Sequence, residues 1–331
     1  MTDLTLLTGA TGFVGSAVAR ALAARGHLLR VLARPGSDRR NLAGLDCTVA
    51  EGDLRDPASL TRAAAGCRYV VHVAADYRIW VPDAAAMLRA NVAGTEAMMR
   101  AAIAGGAERV VYCSSVAALG LTGDATPADE ATPVAPEAIV GVYKRSKYAA
   151  ERAVRRMIAE EGLQAVIVNP AAPVGPRDIK PTPTGRMIVE AAAGRMPAYL
   201  DTGLNIVHVD DVAEGHLLAL DLGTVGERYI LGGDNLSLAE ILGQIAGIVG
   251  RSPPKLRLPR LPLFPVALLA EAVGRLSGRE PMLTVDALKM ARWRMWFSSA
   301  KAERVLGYRH RPAEAALADA IAWFKSAGYW S

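Results

Sequence analysis

Tyr143 and Lys147 are four residues apart, a spacing that puts both side chains on one face of a helix, one turn from each other. A free phenol titrates at about 10 and is a poor base at neutral pH, but a neighbouring ammonium favours the phenolate. Tyr143 can then exchange a proton with a substrate hydroxyl or carbonyl. Ser114 and Ser115 close a short apolar run upstream, and Ser115 is suited to donate a hydrogen bond to the same substrate oxygen, steadying a developing alkoxide. Ser114 reads as a supporting residue. Tyr-x-x-x-Lys alone is a weak signal, so its weight depends on the rest of the chain.

The rest of the chain begins with Thr8, Gly9, Ala10, Thr11, Gly12, Phe13, Val14 and Gly15, a TGxxGxxG loop between an apolar run and a helical pattern. Such a loop presents backbone N–H groups and the positive end of a helix to a pyrophosphate, and its last glycine lets helix and strand pack closely. A dinucleotide bound there makes hydride transfer the natural partner of proton exchange at Tyr143. Where an NAD-selective protein places an acidic residue, the chain reads Val31, Leu32, Ala33, Arg34, and a cation there favours a 2′-phosphate. NADP(H) is therefore favoured, with NAD(H) as the alternative. Arg39 and Arg40 either assist or form a solvated basic turn. Asp53, followed by Leu54, either meets the adenine amino group or caps a helix. His72, Val73, Ala74 and Ala75 end another run, where small residues let the backbone approach a cofactor and His72 faces either the crevice or the core.

Continuous apolar runs at 4–7, 28–32, 48–50, 69–73, 110–113 and 165–168 read as parallel strands buried on both faces. Helical patterns at 13–24, 91–104 and 147–161 alternate with them. The expected fold is therefore α/β, a doubly wound parallel sheet. After Pro170, the residues Pro173, Gly175, Pro176, Pro181, Pro183 and Gly185 argue against regular structure over a long loop. Residues 206–220 then return to strand and helix, 228–231 to a short strand, and a smaller, mostly helical C-terminal region follows. This predicts a dinucleotide domain of residues 1–172 and 206–235, and a discontinuous substrate domain of 173–205 and 236–331.

The 331 residues are 51% hydrophobic and 21% charged, a balance that excludes a disordered chain. The net charge of +5 is spread over helical patterns, and no stretch interleaves bases with aromatics, so nucleic acid is not an expected partner. Arg292, Trp293, Arg294 and Trp296 come nearest, and read as a helix end packing its tryptophans inward. Three cysteines without CxxC spacing and five histidines without HExxH exclude a disulfide framework and predict no metal site. A cytoplasmic enzyme is expected, with no signal peptide. Residues 261–276 are apolar but broken by Pro262, Pro265, Glu271 and Arg275, too short a clean stretch to span a bilayer. They form either an ordinary buried helix or an amphipathic helix on a membrane surface.

With TGxxGxxG, the HVAA strand end, the SSxxxxG turn and YKRSK in order, the chain resembles the extended short-chain dehydrogenases of the NAD-dependent epimerase/dehydratase family, which have a Rossmann sheet. The resemblance covers essentially the whole chain. HVAADYRIW, GPRDIKPTPTGRM, MPAYLDTGLN and ERYILGG are similar to bacterial hopanoid-associated sugar epimerases, with features like those of dihydroflavonol reductases. It implies a catalytic triad of Ser115, Tyr143 and Lys147, with Asn91 supporting the lysine and the backbone from Pro170 facing the nicotinamide. A homodimer is common among such relatives. Cys113, Ser114, Ser115 and Val116 stand where sugar dehydratases carry an acidic pair after a threonine, which argues against dehydration.

Oxidation and reduction at a sugar-like alcohol, in hopanoid lipid tailoring, is the first reading. An NADPH-dependent carbonyl reductase is the second, and a non-catalytic dinucleotide sensor, which would not need Tyr143 and Lys147, is the third. Tyr77 and Trp80 line the small-molecule pocket in either enzyme. Lys180 and Arg186 either bind a substrate diphosphate or are solvated loop charges.

Overall fold

The computed structural model describes residues 4–76, 81, 83–122, 126–135, 139–277, 281 and 283–330. Its first half alternates strand and helix: β1 (Leu4–Thr8), α1 (Phe13–Ala24), β2 (Leu28–Ala33), β3 (Thr48–Glu51), α2 (Pro57–Ala64), β4 (Tyr69–His72), α3 (Ala84–Ala104), β5 (Arg109–Cys113), α4 (Val142–Glu161) and β6 (Ala165–Pro170). Then follow β7 (Ala172–Val174), α5 (Pro183–Ala192), β8 (Ala198–Leu200), β9 (Gly203–His208), α6 (Val209–Leu222), β10 (Arg228–Leu231), β11 (Asp234–Ser237) and α7 (Leu238–Ile248). The chain closes with β12 (Leu256–Leu258), α8 (Phe264–Ser277), α9 (Val285–Met290), β13 (Arg294–Met295), α10 (Ala300–Leu306) and α11 (Ala313–Ser326).

Seven strands form one parallel sheet in the order β3-β2-β1-β4-β5-β6-β10, a Rossmann-like arrangement. Their runs are apolar because both faces are covered. Leu7, Val31, Val71, Val111 and Val168 pack against α1 and α6 on one face. Leu6, Val70, Val110 and Ile167 pack against α2, α3 and α4 on the other. The order reverses between β1 and β4, so their connections leave in opposite directions and open a crevice at the carboxyl ends of the strands.

Beyond the large sheet the structure departs from the expected pattern. β9 does not return to that sheet. It pairs with β7 and β13 on one edge and β11 on the other, while α6 does return, packing on α1. The C-terminal region is thus not only helical. These strands run from two to six residues, too short for a clear period-two signal. The proline-rich segment is more regular than its composition suggests, because Pro183 sits at the start of α5, where a missing N–H costs nothing, and Thr182 caps that helix through Gly185 N–H at 3.0 Å. Residues 294–295 are strand rather than helix end, since the Trp296 indole donates to Leu236 O at 3.2 Å beside β9.

Residues 261–276 are not a buried helix. After a short turn at 261–263, α8 turns Ala267 and Gly274 inward and leaves Leu268, Leu269, Val273 and Leu276 exposed. No described helix is long and apolar enough to cross a membrane.

Candidate active site

Gly9 follows β1 with φ +83°, and a Cβ there would lie 2.8 Å from Ala74 N, just beyond β4. A Cβ on Gly15 would lie 2.1 Å from Gly9 O, so α1 can start this close to the strand only with glycine at both positions. Gly12 N–H bonds Gly9 O at 2.9 Å, and no side chain caps α1, which leaves N–H groups of its first turn free for an anion. Thr11 and Val14 are partly buried, whereas the Phe13 side chain belongs to the core and offers the crevice only its backbone. Asn41, which the sequence reading passed over, is 3% exposed and donates from Nδ2 to Thr11 O at 3.2 Å, Gly12 O at 3.3 Å and Arg177 O at 3.3 Å. It ties the glycine loop to the proline-rich loop.

Arg34 follows β2 and is exposed, and its side chain has no hydrogen-bond or ion-pair partner among the described residues. Arg39 and Arg40 are engaged, with Glu51 at 2.8 Å and with Asp38 at 2.7 Å. Asp53 does not cap α2, a role that Asp56 fills through Ala58 N–H. Its carboxylate takes Arg55 at 2.7 Å and is lowered to about 2, first by that bond and also by the field of Arg34. Leu54 packs against Gly94 of α3. Lys180 is exposed, and its charge helps lower Asp38 in the turn after β2.

His72 is 1% exposed and lies beneath the crevice. Its Nδ1 bonds Thr8 Oγ1 at 2.8 Å, its Nε2 bonds Thr95 Oγ1 at 3.3 Å, and burial lowers it to about 3, so it stays neutral. Thr8 Oγ1 also accepts Ala74 N–H at 3.1 Å, joining the two strand ends that frame the crevice, where Ala74 and Ala75 are partly buried. Asn91 holds the backbone of Asp76 at 2.8 and 2.9 Å and Ser146 Oγ at 3.0 Å, so it fixes the next residues after β4 against α4 rather than touching Lys147. Tyr77 and Trp80 lie outside the described residues.

Ser115, Tyr143 and Lys147 come together at the mouth. Tyr143 lies in the first turn of α4, half-buried. Burial pushes its phenol up to about 12 against a side-chain hydrogen bond with Ser115 that pulls it down. Ser115 Oγ also accepts Ala117 N–H at 3.1 Å, which orients the hydroxyl. Lys147, 5% exposed, donates from Nζ to Cys113 O at 3.0 Å, and burial lowers its ammonium below the usual lysine value.

Beneath them lies a cluster the sequence reading missed. Glu151, 3% exposed, accepts Ser114 Oγ at 2.5 Å, Asn169 Nδ2 at 2.8 Å and Arg228 at 3.0 Å. Asn169 Nδ2 also donates to Ser115 O at 3.0 Å. Glu151 lies one further turn along the face of Tyr143 and Lys147, and that i, i+4 register was the available signal. Arg186 is exposed in the first turn of α5, where its charge acts on Asp178.

The glycine cradle, the uncapped end of α1 and the free Arg34 fit a nicotinamide dinucleotide, which when bound supplies or accepts hydride. The chain's own share is to orient and protonate. A carbonyl oxygen placed between Ser115 and Tyr143 could accept a hydrogen bond from the serine and the phenolic proton of the tyrosine as negative charge develops.

Residues 5–232 match the family described as NAD dependent epimerase/dehydratase. A dihydroflavonol 4-reductase-like protein of Synechocystis sp. is 43% identical over 99% of this chain and 96% of its own length. Sterol demethylase protein B of Methylococcus capsulatus is 36% identical over 98% and 99%. The structure of a nucleoside-diphosphate-sugar epimerase from Pseudomonas aeruginosa, 28% identical, superposes over 100% of both chains with a TM-score of 0.81. The family match and these relatives show that the chain belongs to the NAD-dependent epimerase/dehydratase family and is an NAD(P)-dependent oxidoreductase or epimerase.

Proposed function

We propose that the protein is an NADPH-dependent reductase of a ketone carried on an apolar scaffold. Arg34 carries this reading: its side chain is unpaired among the described residues at the end of the second strand, where a dinucleotide of this fold would set its adenosine ribose, and a 2′-phosphate would use it. Lys180, whose charge lowers the Asp38 carboxyl in the turn after β2, adds a second positive charge on that side. A phenol held protonated supports reduction, because the reductive direction needs a proton donor at Tyr143. Relatives named for a dihydroflavonol reductase and a sterol demethylase protein support an apolar scaffold.

Epimerisation of a sugar-like substrate, in hopanoid lipid biosynthesis, is the second reading. Likeness to a nucleoside-diphosphate-sugar epimerase favours it.

Denaturing the purified protein and identifying the released nucleotide separates the two. A reductase gives up little NAD, exchanges freely with NADPH and oxidises it with an apolar ketone. Tightly held NAD that resists exchange overturns the reductase. Tyr143→Phe should bind cofactor normally while turnover falls by roughly 10²–10⁴-fold. Retained turnover removes Tyr143 from the mechanism.

A further inference from the structure

α8 is built the wrong way round for a soluble surface. Its inward face is Ala267, Ala270, Glu271 and Gly274, and its outward face is Val266, Leu268, Leu269, Val273 and Leu276. Leu276 is 90% exposed and Leu269 67%. Seven of the twelve large hydrophobics exposed among the described residues fall between Leu256 and Leu276. Monomeric proteins rarely leave such a contiguous apolar surface uncovered.

We propose that this face of α8 docks the protein on an anionic lipid surface. Charge supports that occupant. Residues 251–277 hold five basic side chains, Arg251, Lys255, Arg257, Arg260 and Arg275, against one acidic residue, Glu271. Glu271 faces inward, accepting Val285 N–H at 2.8 Å. Of the basic side chains, Arg257 pairs with Asp201 at 2.7 Å and Arg275 lies 4.0 Å from Glu271, and an apolar helix face within such a basic segment is the chemistry of an interfacial helix. A second copy fits poorly, because a two-fold interface would set each basic rim against its twin. A soluble small molecule fits poorly too, since the face is the convex side of a helix rather than a concavity.

The docked helix is coupled to the catalytic one. Glu271 holds the start of α9, and Asp286 of α9 approaches Gly141, where a Cβ would lie 3.4 Å from its carboxylate. Gly141 caps α4, two residues before Tyr143. Docking therefore sets the catalytic helix close to the bilayer, and the substrate class becomes a membrane-partitioned ketone, a consequence that rests on the reductase reading above.

Flotation of the full-length protein with vesicles tests it. The wild type should float with phosphatidylcholine vesicles containing about one-third phosphatidylglycerol. It should bind phosphatidylcholine alone roughly tenfold more weakly, and lose binding at high salt. The triple variant Leu269→Glu, Val273→Glu, Leu276→Glu should lose binding by at least roughly tenfold. Its melting temperature and its turnover of a soluble ketone should be unchanged. Arg257→Gln with Arg260→Gln and Arg275→Gln should bring anionic vesicles down to the level of neutral ones. Tyr143→Phe should float as the wild type does, so a failure of docking and a failure of the redox reading are seen separately. Wild type remaining lipid-free, or floating equally with the triple variant, overturns the proposal. So does a dimer that the triple variant splits, which would make a second copy the occupant.

Discussion

The carboxylate of Glu151 and the guanidinium of Arg228 meet at 3.0 Å beneath Ser114 and Ser115, with side-chain exposures of 4% and 17%. The pair joins α4 to β10, the last strand of the large sheet, and carries Ser114 and Asn169 on its second oxygen. Breaking one partner of such a pair leaves the other charge buried and uncompensated. Arg228→Met should therefore destabilise the fold by roughly 3 kcal/mol. Glu151→Gln keeps the shape but gives Ser114 a weaker acceptor. It should lower kcat while leaving cofactor KM unchanged, because Glu151 acts through Ser114 and the Ser115 backbone. Urea unfolding of both variants with steady-state kinetics of the second checks this, and an unaltered kcat would confine Glu151 to stability.

Arg34 is the single test of cofactor choice. A charge-assisted bond to a 2′-phosphate at an exposed site corresponds to roughly tenfold in affinity. Arg34→Ala should raise KM for NADPH by about that factor and leave KM for NADH unchanged. Lys180→Ala, acting over a longer distance, should have a smaller effect of the same sign, and both should shrink at high salt. Equal losses with the two cofactors would show that Arg34 does not read the phosphate.

Asp178 supplies a pH signature. It is 2% exposed, its Oδ2 accepts Thr182 N–H at 2.8 Å, and its Oδ1 has no partner among the described residues. Burial raises its carboxyl from 3.8 to about 6, against the Thr182 bonds and Arg186 that lower it. The folded state thus holds a proton between those values that the unfolded chain has released, so stability from this group falls as pH rises from about 4 to about 6. The loss amounts to roughly 2–3 kcal/mol at neutral pH. His72 acts oppositely, since burial lowers it from 6.5 to about 3 and the unfolded chain binds the extra proton in between. Asp178→Asn should remove only the first effect. Melting temperatures of wild type and variant across pH 4–8 should converge at the acid end and favour the variant at the neutral end. Parallel curves would contradict the raised carboxyl.

The large sheet was readable because each of its strands is buried on both faces, and continuous apolar runs at 4–7, 28–32 and 165–168 have no other simple use. The glycine loop was readable for a related reason: Gly9 and Gly15 answer to backbone contacts that admit no Cβ. Of the small sheet only β9 was readable as a strand, and its sheet was not, since β7, β9, β11 and β13 take their partners from distant parts of the chain. Asp53 and Lys180 were assigned from position along the chain, and the folded arrangement gives them Arg55 and the Asp38 turn as neighbours. Asn91 likewise secures the Asp76 backbone instead of reaching the lysine.

Local sequence by itself determined the alternation of strand and helix, the glycine cradle and the register that puts Tyr143 and Lys147 on one face. These depend on periodicity and sterics within a few residues. Only the tertiary structure decided that Ser115 meets Tyr143, that Glu151 and Arg228 close the floor beneath them, that Arg34 stays free while Arg39 and Arg40 are paired, and that α8 turns its leucines outward. Each of these is a contact, or the lack of one, between segments far apart along the chain, and only the packing of the whole sheet brings them within reach.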